Sequence, residues 1–372
     1  MMQVVKSTAA WKFVRAIKRS LLHSTSSSAL PANECRGEVV LLDPPPCLEA
    51  GSRCLLNLKI QNRSGVPWHS TGHQPVRLRS RWLTCRNDLF DLPPTFAALP
   101  RTLFPGEPQS LTLTVPTPDV VGDFTLEIDF VRVDDVSFAE VHSESKVVRL
   151  PVPVIGPRTT DIDYHEVFRT ANLDDNHWWV VGAYHSKEQY DRSSRERLEM
   201  LVKRGLTPDS RVLDIGCGTG QMASAMKDYL TDRGAYFGTD IGKEAIDFCQ
   251  RTFRRKNFAF RQGGMTTVPF DASSGAFDFA IFFSVFTHTF LDETVLLMSE
   301  ARRLLKPSGA IIADVITSPL VERAAGHRGE MVVNEERFLE LANMLGYRAE
   351  IIGRWPWNRH AERFMFELRQ RN

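Results

Sequence analysis

The strongest constraint on the fold is the stretch Arg211-Val-Leu-Asp-Ile-Gly-Cys-Gly-Thr-Gly-Gln221. Val212 and Leu213 read as the end of a buried parallel strand, apolar because helices cover both faces of such a sheet. Asp214 closes the strand, and Gly216, Gly218 and Gly220 form a tight turn into a helix that begins near Gln221. Glycine allows positive φ and lets a ligand approach the backbone closely. A dinucleotide fingerprint also sits between strand and helix, but its third glycine would fall on residue 221, which is Gln221. An acid directly before the turn would crowd a pyrophosphate, whereas it suits a ligand carrying an amino group.

A helix is expected from Arg195 to Gly205, ahead of Thr207-Pro208, and strands and helices alternate through the rest of the C-terminal half. A helix is expected over Gln221–Leu230, a strand over 235–240 ending in Asp240, a helix over Lys243–Phe253 and a strand from Phe258 into the turn at Gly263-Gly264-Met265. Phe277 to His288 reads as a fourth strand running into a loop. A helix follows that includes Glu300 and stops at Gly309, and a fifth strand spans 310–315. Asn334 caps a helix over 335–346, and 348–353 and 363–368 supply the last two strands. Alternation of this kind specifies a doubly wound sheet. An acid at the end of the second strand, some 20 residues past the glycine turn, suits hydrogen bonding to ribose hydroxyls.

The glycine turn resembles motif I of the class I S-adenosylmethionine (SAM) methyltransferases. The Ser284-Val-Phe-Thr-His288 run resembles the segment after the fourth strand in the small-molecule and sugar O-methyltransferase branch. The resemblance covers about residues 195–370. It implies a Rossmann-like sheet of seven strands with the last antiparallel, and SAM as cofactor. Carried over by position, it implies cofactor contacts from Asp214, Gly216, Cys217, Gly218, Gly220, Gln221, Asp240, Ile241, Met265 and Ser284. The family usually places an acid near Gly264 for the adenine amine, and here backbone groups or Gln262 have to substitute. No Asn/Asp-Pro-Pro-aromatic run follows the fourth strand, which argues against nucleic-acid bases and glutamine as acceptors. Asp43-Pro44-Pro45 precedes any cofactor fold and reads as a turn.

The N-terminal half has a different character. Short apolar or alternating runs at 38–42, 54–61, 76–83, 109–115, 124–133 and 146–152 are separated by clusters such as Pro44-Pro45-Pro46, Pro93-Pro94 and Pro105-Gly106. Turn clusters at this spacing indicate a separate all-β sandwich of immunoglobulin-like type over residues 37–155, with Trp68 and Trp82 as core or turn anchors. Asn62-Arg-Ser-Gly-Val-Pro-Trp68, with Leu103-Phe-Pro-Gly106 and Gly122-Asp-Phe124, resembles a β-sandwich module of bacterial envelope-polysaccharide proteins. That resemblance implies glycan recognition or docking. A spacer domain without a ligand is the alternative.

Residues 1–36 form a third segment. Residues 1–22 contain no Asp or Glu, carry Lys6, Lys12, Arg15, Lys18 and Arg19, and repeat Trp11, Val14, Ile17 and Leu21 at helical spacing. A basic amphipathic helix suits peripheral contact with an anionic membrane surface. The same composition suits a mitochondrial transit peptide or a free arm. A formal net charge of +1 gives no global pull toward nucleic acid. Six cysteines without a C-x-x-C pair or zinc-like spacing favour a reduced, cytoplasmic chain with no metal site, with disulfides among Cys35, Cys47, Cys54 and Cys85 as the alternative, and no apolar run approaches the roughly 20 residues that span a bilayer.

The chemistry expected within residues 156–372 is direct displacement at the SAM methyl by an acceptor hydroxyl. His288 is the candidate base because it follows the fourth strand, at the sheet edge where ligands bind. Asp292, Asp314 and His327 are the alternatives. The aromatic-rich stretch 161–191, with Trp178, Trp179, Tyr164 and Tyr184, either lids the cofactor or packs on the sheet edge. Residues 354–363 mix Trp355 and Trp357 with arginines, as an acceptor wall or as the link between the last two strands. The acceptor expected is a sugar hydroxyl of a cell-envelope glycan. A lipid, quinone or other small metabolite is the rival, and a glycan-binding assembly factor with a silent SAM domain is the non-enzymatic reading.

Overall fold

The computed structural model describes residues 29–72, 74–156, 162–182, 184–270 and 276–371. The helix expected over residues 1–22 lies outside them. Residues 37–155 build two sheets. The smaller contains Gly37–Leu42 (β1), Arg53–Asn62 (β3) and Pro108–Pro116 (β6), in the order β1-β3-β6. The larger contains Leu48–Glu49 (β2), Arg77–Thr84 (β4), Thr95–Ala98 (β5), Gly122–Val131 (β7) and Val148–Ile155 (β8), in the order β2-β8-β7-β4-β5. Along β3, Leu56, Leu58 and Ile60 turn inward while Asn57 and Lys59 face out, the period of two that a half-buried strand requires. One apolar cluster draws on both sheets. At its centre, buried Trp68 meets Phe130 and Phe138 edge-on at 4.9 and 5.1 Å.

The Asn62–Trp68 stretch has a physical explanation here. Buried Asn62 donates from Nδ2 to the carbonyls of Val66 and Leu103, both at 2.8 Å. Its Oδ1 accepts from the Ser64 amide and hydroxyl at 2.9 and 2.7 Å. The amide thereby staples the turn that delivers Trp68 to the core. All six runs read from the sequence are strands, within a few residues. The short strands β2 and β5 carry too few residues to show a period.

The second part is one sheet with helices on both faces. Its strands are Arg211–Ile215 (β9), Ala235–Asp240 (β10), Phe258–Gln262 (β11), Phe277–Phe282 (β12) and Leu305–Thr317 (β13), parallel in the order β11-β10-β9-β12-β13. Glu362–Gln370 (β17) runs antiparallel beside β13, and Tyr347–Pro356 (β16) closes that edge. These seven strands follow the expected arrangement. Two further strands were not expected: Ala324–His327 (β14) and Glu330–Val333 (β15) form a hairpin, and β15 pairs in parallel with Ile316 and Thr317. β12 stops at Phe282 opposite Ala313, so the last residues of β13 have a vacant edge that β15 takes.

Helix bounds differ from expectation at three places. The helix before the glycine turn spans Lys187–Lys203 rather than starting near Arg195, because the Ser186 hydroxyl accepts the Gln189 amide and begins it. The helix after the turn is Gln221–Met226, shorter than expected. The helix that includes Glu300 spans Leu291–Leu304, and the chain enters β13 directly, so Gly309 is a strand residue and not a helix stop.

The two parts touch. Leu320, just beyond β13, is buried in the apolar cluster that the two N-terminal sheets share. The Asp123 amide donates to its carbonyl at 2.8 Å. Arg359 pairs with Asp91 nearby. All six cysteines are free, and no helix among the described residues is long and apolar enough to cross a membrane.

Candidate active site

A cavity of about 1170 Å³ opens at the carboxyl ends of β9, β10 and β12. The glycine turn forms its floor. Gly216, Gly218 and Gly220 have φ of 75°, 51° and 82°, the left-handed region that a side chain strains to adopt. Space adds a second requirement: a Cβ at Gly218 would sit 2.7 Å from Val181, and one at Gly216 would sit 2.5 Å from Val285. The turn is therefore covered on both sides by apolar side chains. Gly220 does not line the cavity. It caps the helix Gln221–Met226, and a Cβ there would meet the Phe253 ring at 2.4 Å.

Every other residue expected at the cofactor lines the cavity: Asp214, Gly216, Cys217, Gly218, Gln221, Asp240, Ile241, Met265 and Ser284. Asp240 holds the turn together. Its carboxylate accepts the Gly218 amide on one oxygen and the Gly242 amide on the other, both at 2.9 Å. Asp214 is buried, and burial pushes its carboxyl up to about 7, against a lowering hydrogen bond from the Tyr236 hydroxyl and the charge of Arg197. Gln262 is exposed and donates to the Ile241 carbonyl at 2.9 Å, so it props the neighbouring loop from outside the cavity. Gly264, Met265 and Thr267 line that end of the cavity instead.

Residues 162–182 fold over the glycine turn. Tyr164–Thr170 is a helix begun by Asp163, whose carboxylate accepts the His165 and Glu166 amides. The Thr219 hydroxyl donates to the His177 carbonyl at 2.8 Å and ties this segment to the turn. Tyr164, Val181 and Trp179 line the cavity, whereas Trp178 does not.

His288 lines the far side, beyond β12. Its Nδ1 lies 2.8 Å from the Arg328 carbonyl, which can only accept. The proton of the neutral ring therefore sits on Nδ1 and the lone pair on Nε2, as a base requires. Burial lowers the imidazole below its ordinary value, and Arg363 adds to the lowering, while the Arg328 carbonyl and Asp314 oppose it. The ring of Tyr164 stands edge-on at 5.3 Å. The alternative bases are elsewhere or engaged. Asp292 is exposed in the first turn of its helix. Asp314 is wholly buried and is held by Arg363 and by the Ser284 amide at 2.6 Å. His327 points at Gly156, where a Cβ would lie 2.4 Å from its ring.

Ser284 adopts φ 60° without being glycine. Strain of this kind persists where surroundings over-determine it, and here Asp314 holds the amide while Arg363 Nη2 donates to the Ser284 hydroxyl at 2.5 Å. Arg363 also lies 5.7 Å from the Trp357 ring, and Trp357 Nε1 donates to Glu330 at 2.9 Å. Residues 357–361 do link β16 to β17, and Trp357 lines the cavity as well, whereas Trp355 does not. Two charged cavity residues, Arg197 and Arg328, escaped the sequence reading. Arg197 donates to Gln221 at 2.6 Å and lies 4.7 Å from the Phe283 ring. It follows Ser193 by one helical turn, and that shared face was the available signal. Arg328 sits on the unexpected hairpin and pairs with Glu293 at 2.8 and 3.0 Å. Among the described residues, no group of three or more His, Cys, Asp or Glu could hold a metal ion.

Comparison with known proteins agrees with the geometry. Residues 213–313 match a family described as methyltransferase domain. The chain is 26% identical over 129 residues to an uncharacterized methyltransferase of Schizosaccharomyces pombe, covering 32% of this chain and 45% of that protein. It is 22% identical over 157 residues to a demethylmenaquinone methyltransferase of Lactococcus lactis, covering 41% and 58%. Among solved structures, magnesium protoporphyrin IX methyltransferase of Synechocystis with bound SAM superposes with a TM-score of 0.40 at 18% identity, covering 56% of this chain and 98% of that one. The chain spans about half the length of these two curated relatives. It carries a SAM-dependent methyltransferase domain.

Proposed function

We propose that this SAM-dependent methyltransferase O-methylates a sugar hydroxyl of a cell-envelope polysaccharide or glycoconjugate, with His288 as general base. The observation that carries the O-transfer reading is a neutral imidazole, fixed with its lone pair on Nε2, in the same cavity as the glycine turn and Asp240. The residues present fit SAM. Asp240 suits the ribose, Ile241 and Met265 the adenine, Asp214 the ammonium group and Arg197 the carboxylate. SAM supplies a methyl carbon already activated by positive sulfur. The chain's own task is alignment, which accounts for several kcal/mol of a barrier, and proton removal. With SAM held there, His288 Nε2 would take the proton of the acceptor hydroxyl, and SAM would supply the methyl group and leave as its demethylated thioether. The resulting imidazolium returns its proton to water.

Asp214 makes the cofactor assignment testable through pH. Burial pushes its carboxyl up to about 7. A cationic ammonium beside it favours the ionised form, so binding near neutrality releases protons and tightens as pH rises through 7. Calorimetry in buffers of different ionisation enthalpy is expected to register this release, and Asp214→Asn to abolish it. Proton uptake in the wild type would exclude the Asp214–ammonium contact.

For the acceptor, Trp357 offers an aromatic face suited to a sugar ring, beside the Arg363 cation. A smaller cleft of about 360 Å³ shares Ile162 and Gly329 with the main cavity and brings Ala50 and Asp119 of the sandwich beside Glu330 and Asn358. An acceptor chain continuing from the cavity would meet the sandwich there, which favours residues 37–155 as an immunoglobulin-like docking domain for glycan. The second reading, a quinone or other small metabolite, draws on the named substrate of the Lactococcus relative and on the apolar wall of Val181, Phe283 and Ile316. We place the reaction in the cytoplasm, with residues 1–22 as a peripheral contact to the inner face of the membrane. Methyl-labelled SAM incubated with source-cell extract is expected to label polysaccharide or glycolipid. Label in free lipid or small metabolites instead would replace the first reading with the second. Trp357→Ala is expected to raise the KM for the labelled fraction about tenfold, the worth of one aromatic face, with SAM affinity unchanged.

A further inference from the structure

Ser318 to Val333 leaves β13, enters the sandwich and returns beneath His288. On the sandwich side it is pinned at several points. Leu320 is buried in the sandwich core. Its carbonyl accepts the Asp123 amide at 2.8 Å, and the Glu322 amide donates to the Asp123 carboxylate at 2.6 Å. His327 packs against Gly156 at the end of β8. Within the segment, the Ser318 amide donates to the Val333 carbonyl at 3.0 Å, and Asn334 ties back to Arg323 and Val321 at 2.8 and 2.9 Å. The path from the sandwich to the hairpin tip is therefore hydrogen-bonded throughout.

The other side of the hairpin meets the loop that bears the base. The Arg328 carbonyl accepts His288 Nδ1 at 2.8 Å. The Met331 amide donates to the Thr287 carbonyl at 2.8 Å. The Arg328 guanidinium grips Glu293, at the start of the helix that follows the loop.

We infer that the sandwich positions His288 through the hairpin β14–β15, with the Arg328 carbonyl and the Met331 amide as the positioning groups. The sandwich then serves the methyl-transfer step as well as any docking of acceptor, and cofactor binding does not depend on it, because the SAM-binding half of the cavity rests on β9, β10 and the lid. The inference rests on the reading of His288 as base only for its catalytic meaning. The coupling itself can be read on the imidazole directly.

The test uses the full chain and two remote substitutions. Gly156→Ala places a methyl group against the His327 ring, and Leu320→Ala removes the plug from the sandwich core. Nitrogen-15 spectra of the histidines across pH report the tautomer and pKa of His288. The charged or titratable groups around it are Arg363, Asp314, Arg328 and Tyr164, none of which is altered. The wild type is expected to carry its proton on Nδ1 and to titrate below the ordinary imidazole value. Both variants are expected to shift population to the Nε2–H tautomer and to titrate closer to that ordinary value, with SAM affinity by calorimetry within about twofold. Unchanged tautomer and pKa in folded variants would overturn the inference, and so would a matching loss of SAM affinity. Asp123→Asn weakens the same pin without opening a core and gives the same reading if Leu320→Ala does not fold. Loss of coupling in these spectra is separable from failure of the base assignment, which is decided by the kinetics of His288 variants.

Discussion

Replacing His288 with alanine is expected to lower kcat by about 10²–10⁴-fold, the usual contribution of a positioned general base, while SAM affinity stays within about twofold. An acceptor hydroxyl is a poor nucleophile while it keeps its proton, and His288 lines the cavity with its Nδ1 held by the Arg328 carbonyl. The pH dependence has a definite sign. In the proposed role His288 can act as a base only when neutral, and burial lowers its pKa below the ordinary imidazole value. Wild-type kcat is therefore expected to stay level through neutrality and to fall only on the acid side, below the range of an unperturbed imidazole near 6.5. His288→Gln keeps a side chain of similar size but is expected to lose that acid limb. An acid limb that survives in His288→Gln, or kcat within tenfold of wild type, would assign the proton to another group. Transfer from methyl-labelled SAM to the labelled cell fraction is the measurement.

Asp240→Ala is expected to weaken SAM binding by about 100-fold or more. The carboxylate accepts two backbone amides, from Gly218 in the glycine turn and from Gly242 at the start of the next helix. Hydrogen bonds to a charged group are worth about 1.5–3 kcal/mol each, and about 3 kcal/mol is a hundredfold in affinity. The substitution also removes the oxygens proposed for the ribose. Asp240→Asn, which keeps one acceptor oxygen, is expected to fall between the two. Calorimetry decides, and an alanine variant that binds SAM within threefold of wild type would remove Asp240 from both roles.

The glycine turn was legible because its determinants are consecutive. Strand, acid and three glycines stand within eleven residues, and the backbone requirement that selects glycine at 216 and 218 is local. Gly220 belongs to the same motif and yet serves only the turn, since Phe253 and Cys249 occupy the space beside it. The side of the cavity around His288 was harder to read. His288 could be placed after the fourth strand, but nothing near it in sequence announces that Arg328, forty residues on, orients its ring. The hairpin β14–β15 carries too few apolar residues to show a period, and it pairs only where β12 has run out beside β13.

The sequence alone determined the chain's two kinds of architecture, because period-two runs between proline clusters and alternating strand and helix signals are set by neighbouring residues. It also determined the cofactor turn. Only the tertiary structure decided which polar groups act together. Arg363 reaches Ser284 across the sheet, and the segment beyond β13 is anchored in the apolar cluster of the N-terminal sheets while its tip holds His288. Such contacts depend on strand order and on which edges remain open, and those follow from the packing of the whole chain rather than from any one stretch of it.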